Sequence, residues 1–138
     1  WEENLSRLGS FGLAAGDYTM SRVGRMGCIS RDLQQAHYED IPITPHTFDN
    51  DALIFETPTP HTILLNDADG QPILSVDHDA PALGLWAPAK EEYAPFVCIE
   101  PWWGRADWEE FVGEMKDKPY CNQTSGQFEW GVTVIDNE

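Results

Sequence analysis

The sequence predicts an all-β protein built of antiparallel sheet, with one short helix. From Ile41 onward, short apolar runs recur about every ten residues, each closed by proline, glycine, asparagine or aspartate, which is the spacing of antiparallel sheet proteins. The runs themselves are of strand length, and only one stretch carries charge among apolar residues in a helical pattern.

Glycines concentrate early, at Gly9, Gly12, Gly16, Gly24 and Gly27. Each interior glycine costs a helix about 1 kcal/mol against alanine, so residues 1–40 are expected to be irregular or weakly stranded. Residues 52–55 form the first clear run and end in Thr57-Pro58-Thr59-Pro60. Residues 62–65 end in Asn66-Asp67-Ala68-Asp69-Gly70, and residues 73–76 end in Asp77-His78-Asp79-Ala80-Pro81. Hairpins fit these gaps. Further runs follow at 83–86, 96–99 and 128–135, the last with partial alternation. Residues 108–115 mix Glu109, Glu110 and Glu114 with apolar residues and read as a helix, stopped by Lys116-Asp117-Lys118-Pro119. No internal repeat is evident.

At 138 residues the chain suits a single domain or part of one, with residues 1–40 as a Gly/Arg-rich segment and 41–138 as the sheet portion. Its net charge is −16, although the first 31 residues hold four arginines (Arg7, Arg22, Arg25, Arg31) against Glu2, Glu3 and Asp17. So acidic a chain is a poor partner for nucleic acid or an anionic membrane surface. With 41% apolar and 12% aromatic residues it can still bury a core, and its acidity does not signal disorder. No run approaches the length of a membrane helix, and Trp1-Glu2-Glu3-Asn4 lacks the order of a signal peptide. Cys28, Cys98 and Cys121 are odd in number and widely spaced, so the expected setting is a reducing cytoplasm, with no metal and no cofactor.

The most unusual stretch is Phe96-Val97-Cys98-Ile99-Glu100-Pro101-Trp102-Trp103-Gly104-Arg105-Ala106-Asp107. Pro101 favours an extended backbone at Glu100, which should close a strand beside two indoles. Such a setting raises a carboxylate's proton affinity and suits a general base or acid. The competing reading pairs Glu100 with Arg105 as a structural ion pair. Trp86, Trp102 and Trp103 suit the C–H face of a sugar, or they are core.

Asp49-Asn50-Asp51-Ala52-Leu53-Ile54-Phe55, then Leu83-Gly84-Leu85-Trp86, then the block around Glu100 resemble successive landmarks of aldose 1-epimerase (galactose mutarotase-like) proteins, of the branch associated with lactose operons. The match runs over about residues 41–136 and resembles the C-terminal portion of that family's large antiparallel β-sandwich, which narrows the all-β expectation for residues 41–138 to a sandwich. The resemblance implies a cofactor-free isomerase that interconverts the α and β anomers of a monosaccharide, with Glu100 as the base. It further implies that Asp51, Trp86, Trp102 and Arg105 shape the sugar site. Asp51 also reads as a strand-initiating turn residue. The roles of Arg105 and Asp107 stay open between orienting Glu100 and touching substrate, and a Glu100/Asp107 pair would also be raw material for a glycosidase.

The family's acid is a histidine in a His-Pro type segment upstream. His37, His46, His61 and His78 stand in other contexts, and none takes that role; His46 and His61 read as turn residues. Two alternatives follow: a carbohydrate-binding β-sandwich without catalysis, and a half-sandwich that pairs with a missing half or with itself. Asp67-Ala68-Asp69-Gly70 begins like a calcium loop but misplaces the glycine and the closing glutamate, so a hairpin turn is expected. Asn122-Gln123-Thr124 is a sequon without a secretory context.

Overall fold

The computed structural model describes residues 8–88, 96–114 and 127–136. Cys121, the sequon, the Lys116-Asp117-Lys118-Pro119 stop and the extreme N-terminus lie outside them. Eight strands form one antiparallel system: β1 (Leu8–Arg22), β2 (Gln34–Pro42), β3 (Leu53–Glu56), β4 (Thr62–Asp67), β5 (Pro72–His78), β6 (Ala82–Trp86), β7 (Cys98–Trp102) and β8 (Trp130–Val134). Their order is β7-β6-β3-β1-β4-β5-β8, with β2 pairing β1 separately.

The expectation of an irregular N-terminal segment is corrected here, because it contains the longest strand. β1 pairs β2 from Ser10 to Met20 across a register shift between Gly12 and Gly16. Its first half pairs β4 and its last three residues pair β3, so β3-β6-β7 and β4-β5-β8 leave β1 as two wings. At Gly9 the absent side chain serves close approach, since a Cβ there would collide with the Asp67 carbonyl oxygen.

Of the three expected hairpins, only β4–β5 forms. Asp67 Oδ1 accepts from the N–H groups of Asp69 and Gln71, both at 2.9 Å, and Gly70 has φ +80°, so the calcium-like segment is a tight turn. β1 separates β3 from β4, and β5 and β6 end on opposite wings.

The expected helix at 108–115 is also absent over its described residues. The Ile29 N–H donates to the Asp107 carbonyl at 2.8 Å, and the Glu109 N–H donates to the Ile29 carbonyl at 2.9 Å. Those backbone groups are therefore committed to a bridge, and Glu110 at φ +55° lies in the left-handed region, which a right-handed helix cannot use. The one helical element described is a 3₁₀ turn at Arg25–Gly27.

Alternation along the strands divides the β3-β6-β7 wing into two faces. Leu53, Phe55, Leu83 and Leu85 join Phe11, Tyr18, Ile41, Phe48 and Ile63 in the core, with Ile99 packed against it. Tyr18 and Tyr38 both meet Phe55 edge to face, at 5.9 and 5.4 Å between ring centroids. Each such buried side chain contributes about 1.5–3 kcal/mol. The opposite face presents Ile54, Glu56, Gly84, Trp86, Cys98, Glu100 and Trp102, and it carries the candidate site.

Candidate functional site

Glu100 occupies the middle of β7, directly opposite Gly84 on β6, rather than the strand end expected from Pro101. β7 closes the sheet, and an edge strand is where proline is tolerated. The carboxylate is half-buried. Trp102 Nε1 donates to Glu100 Oε2 at 3.1 Å, and the Cys98 thiol hydrogen-bonds to the same carboxylate. Residues 98, 100 and 102 share one face because side chains alternate along a strand. Burial, then the Glu100 charge, then that hydrogen bond push the Cys98 thiol up and keep it protonated.

Arg105 pairs with Glu56 and not with Glu100. Its Nε donates to Glu56 Oε2 at 3.0 Å, with the two side chains only 4% and 15% exposed. Its Nη1 donates to the Ala106 carbonyl at 2.7 Å, and its guanidinium carbon lies 4.4 Å from the Trp108 ring centroid. The ion pair expected as the competing reading for Glu100 therefore belongs to Glu56. Trp102 and Arg105 together line a cavity of about 250 Å³ floored by Val23 and Ile29. That volume lies below the roughly 300–1,000 Å³ of typical ligand pockets and suits a single small ring.

Trp86 stands opposite Cys98 in the strand register but also packs against the core cluster, its ring 6.0 Å from that of Phe96. Asp51 is exposed in the turn before β3 with φ +72°. Its Oδ1 accepts from the Ala52 N–H at 2.7 Å, and its carbonyl accepts from Arg22 Nη1 at 2.9 Å. The structure thus groups Glu100, Trp102, Trp86 and Arg105 on one wing and gives Asp51 a strand-initiating turn. Sequence reasoning missed Cys98 as a partner of Glu100, although their spacing of two on a strand places them together. It also missed Glu56, which lies 49 residues from Arg105 and left no local signal.

The histidines lie elsewhere. His37 contacts Asp17 at 3.2 Å on β2 and β1, and His46 contacts Asp49 at 2.8 Å within its turn. His61 and His78 meet edge to face at 5.4 Å. A larger hollow of about 600 Å³ between residues 77–79 and 128–131 holds polar groups that are already engaged. Asp77 Oδ1 accepts from the Thr62 hydroxyl, and Asp79 Oδ1 accepts from Trp103 Nε1 and the Glu129 N–H. Among the described residues, no three His, Cys, Asp or Glu side chains gather closely enough to hold a metal ion.

The nearly all-β antiparallel architecture is that of a galactose mutarotase-like β-sandwich. The likeness is to a solved structure, a galactose mutarotase-related enzyme from Lactobacillus acidophilus, with a TM-score of 0.67 and 21% sequence identity. The alignment covers 98% of this chain and 47% of that one, so this chain spans about half the length of that protein. At this identity the likeness is one of fold. No family model and no curated protein matches the chain.

Proposed function

We propose that this chain carries the base of a sugar-anomer isomerase site, with Glu100 taking the proton from the anomeric hydroxyl of a monosaccharide. One observation carries the reading: a half-buried carboxylate is held by an indole N–H, and that same indole, together with a guanidinium, lines a small cavity. Deprotonating O1 pushes its electrons toward C1 and breaks the bond to the ring oxygen, which takes up a proton from water. The open aldehyde rotates and closes on its other face. Trp86 and Trp102 offer apolar surface to the ring, and Arg105 borders the cavity it would enter. The chemistry needs no redox cofactor and suits a cytoplasmic setting.

Exchange between anomers, followed by NMR or polarimetry, tests the base. A positioned base is worth about 10²–10⁴ in rate, so Glu100→Gln is expected to lose most turnover above the buffer reaction. A variant as fast as its parent removes the assignment.

Among the described residues the four histidines engage partners other than Glu100, which favours a second reading, sugar binding without catalysis. It expects saturable quenching of tryptophan fluorescence by sugar and no rate above buffer.

A further inference from the structure

We propose that Trp102 is a positioning residue for Glu100, and that Gly84 is the vacancy that lets its indole lie there. This rests on the base assignment above. Trp102 Nε1 reaches Glu100 Oε2 at 3.1 Å along a single strand, so the pair is set by β7 itself. The six-membered ring of the same indole lies over Gly84, directly opposite Glu100 on β6. A Cβ at Gly84 would come within 2.8 Å of Cζ2 and 3.0 Å of Cε2, so a larger residue would drive the ring off the strand.

Glutamate has three side-chain torsions, and a base that samples several of them is out of reach of its proton for much of the time. A ring N–H on one oxygen restricts that sampling, and the ring is fixed in turn by the flat strand beneath it. Trp102 also borders the cavity beside Arg105, so one side chain links the sugar space to the base. This role differs from that of a sugar platform, which uses the ring face and has no need of the N–H.

Trp102→Phe separates the two, because it keeps aromatic surface and removes the donor. Positioning expects kcat to fall about tenfold or more with KM within about twofold of the parent. Gly84→Ala, which displaces the ring, is expected to repeat that signature. Trp102→Phe with parental kcat, or with a raised KM alone, overturns the proposal.

A second readout needs no activity. In ¹⁵N-tryptophan-labelled protein, the indole N–H resonance absent from Trp102→Phe is expected to move upfield in Glu100→Ala as its charged acceptor disappears. An unmoved resonance overturns the contact itself. Turnover missing from the parent instead overturns the base assignment, and with it any catalytic consequence of a contact that the resonance still reports.

Discussion

His78 shows how one side chain can be fixed by geometry before any charge is considered. Its Nε2 donates to the Pro60 carbonyl at 2.7 Å, and its Nδ1 accepts from the Ala80 N–H at 3.0 Å. Only the neutral ring protonated on Nε2 can do both. Burial is the largest cause pulling its pKa below the usual 6.5; His61 pulls the same way, while the Pro60 bond, Asp79 and Asp77 oppose it. Because the folded value is depressed, the unfolded chain takes up the proton first. The neutral ring's stabilisation is therefore complete above pH 6.5 and is lost as pH falls from 6.5 through the folded value. Over that window the slope approaches about 1.4 kcal/mol per pH unit. Urea midpoints at pH 7.5 and 5.5 are expected to differ more for the parent than for His78→Gln; equal differences would remove the assignment. Glu100 is the residue-scale contrast: the sequence marks it as unusual, yet its partners at 98 and 102 follow from strand alternation.

At the scale of elements, the 103–110 segment is held to the β3-β6-β7 wing by the Glu56–Arg105 pair rather than by a helix of its own. Arg31 Nε donates to the Glu109 carbonyl at 2.9 Å, and the Arg25 N–H donates to Glu109 Oε1 at 2.6 Å, so the N-terminal connection and this segment lock each other. Removing one partner of a buried pair leaves the other charge desolvated, typically at a cost of about 3–5 kcal/mol. Arg105→Ala should therefore lower the chemical denaturation midpoint far more than Arg31→Ala, whose side chain is exposed. Comparable losses would mean that the pair does not anchor the segment. Most strands after Ile41 were legible because each short apolar run is closed by its own turn residues. The misread helix and the two missing hairpins share one cause: local pattern cannot register a bridge to Ile29 or a strand inserted between two others.

At the scale of the molecule, β8 ends the sheet among the described residues, with Trp130, Val132 and Val134 exposed at 67%, 50% and 79%. It carries none of the lysines, prolines or inward charges that guard natural edges. Self-association through this edge is the expected outcome, opposed by the net charge of −16 and therefore strengthened by salt. Sedimentation should show larger species at higher salt, with Val132→Lys shifting the balance toward monomer; a variant indistinguishable from its parent would count against the edge. The sequence alone determined the all-β class, most strand positions and the singular carboxylate at 100, because these depend on residues close along the chain. Only the tertiary structure decided that β1 divides the wings, that Arg105 belongs to Glu56 and that Gly84 makes room for Trp102. Those facts depend on which distant segments become neighbours, and backbone pairing between remote strands leaves no periodic mark in either one.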